Sequence, residues 1–249
     1  IVRDGIAVLR KTIRPGLRAM ARVAERDIRT FTAADISFSI APRLNAAGRL
    51  ESPMLAYRLL MEEDPAQAET LALEVERVNR QRKSLAASML EQAAEQILAM
   101  PDWEDWPVLI ARHPSWQAGM VGTIAAKITE ASGRPSIIFQ ECEDGILSGS
   151  ARSIPGINIG EILNELGHLL IRHGGHSGAA GVSLKREQLE EFGVELAMHV
   201  LAADAEIPAP ALLPIDADLT PEDLSQETVE ALADLEPCGR GNDIPNLRI

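Results

Sequence analysis

From Ala66 to Met100 the sequence contains neither glycine nor proline, and Leu71, Val75, Val78, Leu85, Met89 and Ile97 recur at spacings of three and four with charge on the other faces. That pattern predicts one amphipathic helix. Asp64 is placed to cap it, Pro65 suits its first turn and Pro101 stops it. At 1.5 Å per residue such a helix is about 50 Å long, too long for the inside of one small core. It reads as a connector between two domains, and the rest of the chain divides around it.

On its N-terminal side, Arg3 to Ala24 read as two short helices broken at Arg14-Pro15-Gly16. Thr32 and Asp35 form a capping pair ahead of Ile36, Phe38 and Ile40, and Pro42 is expected to end that segment. Ala41 to Leu50 then reads as a loop with two readings. It is a connection with solvated arginines, or a close-approach loop in which Arg43, Asn45 and Arg49 bind anionic or polar ligand groups.

On its C-terminal side the pattern alternates. Expected strands are Pro107 to Ala111, Ser136 to Gln140, Gly145 to Ser150 and Gly181 to Leu184. Expected helices are Met120 to Ala131, Ile159 to Ile171 and Arg186 to Leu201. The fold class is therefore α/β, a sheet flanked by helices. Beyond Asp204, Pro208, Pro210 and Pro214 mark a linker. A strand over Leu212 to Ala217, an acidic helix from Thr220 to Leu235 and a loop over Pro237 to Pro245 follow it, like the first part of a further domain.

Two small-residue stretches stand out, Ser148 to Ser153 and Gly174 to Gly181. Each alone is explained by a tight turn beside the helix between them. Together, with Arg152 and His176 in them, they favour an anion or nucleotide site, because glycine lets backbone approach a ligand and a guanidinium grips phosphate with two N–H groups.

Composition narrows the class. A hydrophobic share of 46% suits a globular protein, and no apolar run approaches the length of a membrane span. A net charge of −13 argues against coating nucleic acid non-specifically, although arginines load the first stretch. Two cysteines far apart argue against a disulfide framework or a structural zinc site and point to the cytoplasm. The N-terminus lacks an initiator Met and a signal pattern, and reads as a cut inside a longer protein. Trp103, Trp106 and Trp116 read as packing residues.

Pro42-Arg43-Leu44-Asn45-Ala46-Ala47-Gly48-Arg49-Leu50 resembles a motif of the RecJ family of single-strand-specific 5′→3′ DNA exonucleases, within the DHH phosphoesterase superfamily. His113 to Ala126, Ser148 to Ser153 and Gly174 to Gly181 resemble successive motifs of its DHH-associated domain. Pro237 to Pro245 is similar to the opening of its oligonucleotide-binding domain. The resemblance implies the tail of a DHH domain over 1–63, a connecting helix over 64–101, the DHH-associated domain over 102–203 and the start of an oligonucleotide-binding β-barrel over 204–249. It implies that Arg43, Asn45 and Arg49 face an interdomain cleft and hold the DNA backbone. Ser150 and Arg152 would grip phosphate, the terminal 5′-phosphate of the strand, and Ser148 would bind substrate. Gly174 and Gly175 would contact the nucleotide together with His176, the one catalytic assignment, and His113 is a further substrate contact. His168, His173 and His199, in or beside helices, receive no role.

No Asp-His-His occurs, and no histidine precedes His113. By the family's order those motifs would lie upstream of Ile1, so no residue here is assigned to metal. The resemblance implies Mn2+ or Mg2+ held by the missing motifs, with this part alone inactive. Implied partners are single-stranded DNA, single-strand-binding protein and a helicase, in DNA repair and recombination, with no membrane. The alternatives are an oligoribonuclease or dinucleotide phosphodiesterase of the same superfamily, or a non-catalytic nucleic-acid-binding homologue.

Overall fold

The computed structural model describes residues 1–203, 213–239 and 241–249. They form two compact units: Ile1–Gln81 with Ala211–Ile249, and Arg82–Pro210. The proline-marked linker with Pro208 and Pro210, and the start of the expected strand at Leu212, lie outside the described residues.

The first unit is helical. Helices α1 (Val2–Leu9) and α2 (Pro15–Val23) are separated as the sequence indicates, with Pro15 and Gly16 in the first turn of α2. Gly16 is needed there: a Cβ would lie 1.8 Å from the Leu59 carbonyl oxygen. Thr32 and Asp35 cap each other reciprocally, the Asp35 carboxylate accepting from the Thr32 N–H and hydroxyl, and the Thr32 hydroxyl accepting from the Asp35 N–H. They open a π-helix, Asp35–Ile40, which runs directly into α3 (Ala41–Leu50). The expected loop at Ala41 to Leu50 is thus a helix. Pro42 does not stop it, because it occupies the first turn, where no backbone N–H is needed, and Ala41 keeps helical angles (φ −58°, ψ −41°). Helix α4 (Pro53–Met61) follows. Met20, Phe31, Ile40, Leu59, Ala72 and Val75 fill the core.

Helix α5 spans Pro65–Leu98, with the Asp64 carboxylate accepting from the N–H groups of Ala66 and Gln67. Residues to Gln81 belong to the first unit, and those from Arg82 to the second. The C-terminal part of the first unit contains α9 (Gln226–Ala233) and a two-stranded parallel pairing of β6 (Ala217–Asp218) with β7 (Leu247–Arg248). Arg3 donates to the carbonyls of Asp234 and Glu236, tying α1 to the end of α9. The strand expected up to Ala217 is short, and the acidic helix begins with a separate 3-10 turn over Pro221–Asp223.

The second unit is a five-stranded sheet in the order β1 (Leu109–His113), β2 (Ser136–Glu141), β3 (Ile146–Arg152), β5 (Ala179–Lys185), β4 (Arg172–His176). β1 and β2 are parallel, and the other neighbours are antiparallel. One face packs Ile137, Phe139, Leu147, Ala151, Val182 and Leu184 against α7 (Ile159–Glu165) and α8 (Leu189–Ala202). Helix α6 (Ala118–Ser132) packs on β2 and β3. β2 is apolar on successive residues because it is buried on both sides. Trp116 is buried, its indole N–H donating to Gln92 at 2.8 Å, in keeping with a packing role. Trp103 lies under the Arg134 guanidinium.

Two expectations need correction here. The helix from Ile159 ends at Glu165, and Leu166–Leu169 tighten into a 3-10 turn that feeds β4. Gly174 to Gly181 is more than a turn: its two ends belong to paired strands of a hairpin, while the strand expected over Gly145 to Ser150 is present as β3 and runs on to Arg152. His113 closes β1, and His173 lies in β4 with its ring beside Gly167 of the 3-10 turn.

Candidate nucleic-acid interface

Successive residues of a strand point to opposite faces, and paired residues share a face, so the register assigns every candidate. Arg152 pairs with Ala179, which pairs with His176; Ser150 pairs with Gly181, which pairs with Gly174; Ser148 pairs with Ser183, which pairs with Arg172. These nine residues share the face opposite the Phe139–Leu147–Val182 core. His113 lies in the same row through Gln140 and Ser148. Ser148, Ser150, Arg152, Gly174, His176 and His113, picked from separate stretches of sequence, are therefore brought onto one side of one sheet. Gly175 is on the other side.

Helix α6 packs on this side at β2 and β3, while every residue of β4 is exposed. Arg152 sits at the border. Its guanidinium donates to the Ser150 hydroxyl at 2.7 Å and to the Ala151 carbonyl at 2.7 Å. With its oxygen accepting from Arg152, the Ser150 O–H is turned to donate elsewhere. The guanidinium fits only because α6 carries glycine opposite it: a Cβ on Gly122 would lie 2.8 Å from Arg152 Nη2 and 3.1 Å from Ser150 Oγ.

The other end of the row is His176. Its Nδ1 accepts from the Gly178 N–H at 3.3 Å, so the neutral ring carries its proton on Nε2. The hairpin tip is fixed from two sides, by Ile159 N–H to the Ser177 carbonyl and Ser153 N–H to the Gly178 carbonyl. Gly175 is required for the hairpin itself, since a Cβ would lie 2.3 Å from the Ala179 carbonyl oxygen. It positions the strand and offers no side chain. His113 Nδ1 accepts from the Ser115 N–H at 3.1 Å and lies 2.7 Å from its hydroxyl.

In the first unit the three other candidates lie on α3. Asn45 and Arg49 are exposed on one face with Gly48, and Ala46 and Ala47 are fully buried on the other. Arg43 turns inward. It donates to Glu76 at 2.7 Å and to the Ser39 carbonyl at 2.7 Å, and Glu76 also accepts from Arg80 and Asn79. Burial pushes the Glu76 carboxyl up, but Arg80, Arg43 and Asn79 together outweigh it and hold the group below its ordinary value.

Sequence reading passed over Gly122, Arg172, Ser183 and the Glu76 network. The signal for Arg172 was present: in Arg172-His173-Gly174-Gly175-His176, positions 172, 174 and 176 share a face once the stretch is read as a strand. Among the described residues no group of three or more His, Cys, Asp or Glu could hold a metal ion. These residues do not fit a metal centre. No helix among them is long and apolar enough to cross a membrane.

Residues 105–202 match the DHHA1 domain family. Over 98% of its length the chain is 33% identical to the single-stranded-DNA-specific exonuclease RecJ of Bacillus subtilis, covering 31% of that protein. It is 34% identical to RecJ of Escherichia coli over 91% of its length, covering 40% of that protein. The crystal structure of Thermus thermophilus RecJ in complex with Mn2+ superposes with a TM-score of 0.83 at 29% identity, over 98% of this chain and 35% of that one. The chain is RecJ-like. Its mixed α/β unit resembles the DHH-associated domain of RecJ. It spans between about a third and two-fifths of the length of these relatives.

Proposed function

We propose that the chain is the substrate-holding part of a 5′→3′ single-stranded-DNA exonuclease that hydrolyses phosphodiester bonds in repair and recombination in the cytoplasm. The observation that carries the reading is the convergence of Ser150, Arg152 and His176 on one face of the sheet, at the border between α6 and the exposed β4, in a chain similar to RecJ from end to end. In this reading residues 1–63 are the end of a DHH domain, 64–101 connect, 102–203 form the DHH-associated domain and 204–249 begin an oligonucleotide-binding domain.

The roles follow from the donors available. Arg152 supplies charge and N–H groups to a phosphate at the 5′ end, and Ser150 donates its hydroxyl to the same oxygens. His176 donates from Nε2 to the phosphate at the scissile end. Ser148 and the backbone at Gly174 line the approach, with Gly175 holding the hairpin and His113 contacting substrate farther along the sheet. Asn45 and Arg49 contact the DNA backbone from α3, and Arg43 orients that helix through Glu76. RecJ of Thermus thermophilus has been crystallised with Mg2+ and with Mn2+. Since the described residues do not fit such an ion, the ligands are proposed to come from other motifs, and no step is routed through a metal.

The test is binding of a fluorescent single strand and of the matching duplex across a salt series. The reading expects single-strand binding that weakens as salt rises and exceeds duplex binding. Equal affinity for both, or none for either, would refute it.

A further inference from the structure

A depression of about 330 Å3 opens on the same face at the opposite end of the strands from Arg152 and His176. Arg172, Ser148, Ser183, Gly174 and Gly181 line it. Arg172 differs from Arg112, Arg134, Arg152 and Arg186. Arg112 and Arg186 share the Glu141 carboxylate, Arg134 is bound to the carbonyls of Trp103, Glu104 and Trp106, and Arg152 holds Ser150. Among the described residues the exposed Arg172 guanidinium has no hydrogen bond or ion pair. A charge without a protein partner, in a concave site beside the Ser148 hydroxyl and a Ser183 hydroxyl held only by a long bond of 3.5 Å to the Arg172 carbonyl, is ready for an anion.

The floor between the two ends is equally specific. Gly174 and Gly181 are paired across β4 and β5 and lie between the Arg152–His176 row and the Ser148–Arg172 row. A Cβ on Gly174 would meet nothing within 4 Å, and one on Gly181 would meet only the Gly174 carbonyl oxygen, at 3.9 Å. Neither residue has a positive φ. Glycine in a strand interior weakens it, and here neither turn geometry nor internal packing requires it. The rows are four residues apart, which is roughly 13 Å along a strand.

We infer that Arg172, with the hydroxyls of Ser148 and Ser183, is a second phosphate contact. It engages an internal phosphate of the strand whose 5′-phosphate lies at Ser150 and Arg152, while the Gly174–Gly181 floor carries the nucleoside between. This rests on the function proposed above, and extends it by setting a minimum substrate length. A mononucleotide fills only the first end, and longer strands reach Arg172.

The experiment is a binding ladder of 5′-phosphorylated oligothymidylates from one to five nucleotides, measured with this chain, Arg172→Ala, Gly174→Ala and Arg152→Ala. Affinity is expected to step up once the ladder reaches the second site. Arg172→Ala removes that step, weakening the longer strands about fivefold at 0.1 M salt and lowering the slope of log K against log salt by about 0.7, while the mononucleotide is unaffected. Gly174→Ala leaves the melting temperature unchanged and weakens the longer strands. A step that survives in Arg172→Ala overturns the second contact and leaves the first site standing. Affinity of the mononucleotide that is unchanged in Arg152→Ala overturns the first site, and with it the extension.

Discussion

Gly122→Ala separates the structural role of the Arg152 site from its binding role. Glycine inside a helix is about 1 kcal/mol less favourable than alanine, so the substitution gains that amount in α6. The added Cβ would lie 2.8 Å from Arg152 Nη2, so the guanidinium must withdraw by about 0.6 Å to reach ordinary contact at 3.4 Å. The obstructing atom is the far end of a flexible side chain, and the backbone need not move. Losing the Arg152–Ser150 hydrogen bond is worth about 1 kcal/mol. The two effects offset each other, and the melting temperature should stay within about 4 °C of the parent. Binding of a 5′-phosphorylated strand should fall much further. The loss is about fivefold at 0.1 M salt if only one phosphate charge contact disappears, and about 150-fold if a charged hydrogen bond of about 2 kcal/mol goes too. Fluorescence anisotropy and a thermal melt on one sample measure both quantities. A stable Gly122→Ala chain that binds the phosphorylated strand like the parent would refute the placement of the phosphate at Arg152.

Three further outcomes follow from the same geometry. Gly175→Ala puts a Cβ 2.3 Å from the Ala179 carbonyl oxygen and 2.4 Å from Ala180 Cα, both backbone, so urea unfolding should show a loss of at least about 2 kcal/mol, unlike the neutral Gly174→Ala. Glu76→Ala leaves Arg43 facing α5 without its carboxylate, and should destabilise the chain by about 3 kcal/mol in the same assay, with Glu76→Gln milder. Stability should also fall in acid: the folded Glu76 carboxyl is held below its ordinary 4.5, and Asp35 is likewise lowered, by its bonds to Thr32. The unfolded chain therefore takes up protons first, so this stabilisation is complete above pH ~4.5 and is lost as pH falls through the lowered folded values. A melting temperature measured from pH 7 down to about 3 should drop, and less steeply in Glu76→Gln.

Much of this architecture is legible in the residues themselves. The absence of Gly and Pro between Pro65 and Pro101 marks α5, Asp64 and Thr32 mark helix starts, and the apolar run Ile137-Ile138-Phe139 marks a strand buried on both sides. The errors share a cause. Gly, Ser and Pro favour turns in isolation, whereas tertiary packing decides their place here. Pro42 is instead accommodated in the first turn of a helix that continues a π-helix, where its missing N–H is harmless. Gly149 and Gly175 are strand residues whose missing Cβ is filled by the Phe139 ring and the Ala179–Ala180 backbone, a requirement set by tertiary packing that no local pattern shows. Reading Gly174 to Gly181 as a loop also hid its period of two, and with it Arg172. Residue type alone singled out Arg43, Asn45, Arg49, Arg152 and His176, and the resemblance supplied the other candidates. That Arg43 is committed to Glu76, 33 positions away, needed the fold.

The most direct test of the account compares a 5′-phosphorylated strand with its 5′-hydroxyl counterpart, bound to this chain and to Arg152→Ala. The account predicts tighter binding of the phosphorylated strand by the parent, a preference abolished in Arg152→Ala while the residual affinity for the hydroxyl strand is kept. Equal affinity of the parent for both strands, or a preference that survives without Arg152, would contradict it.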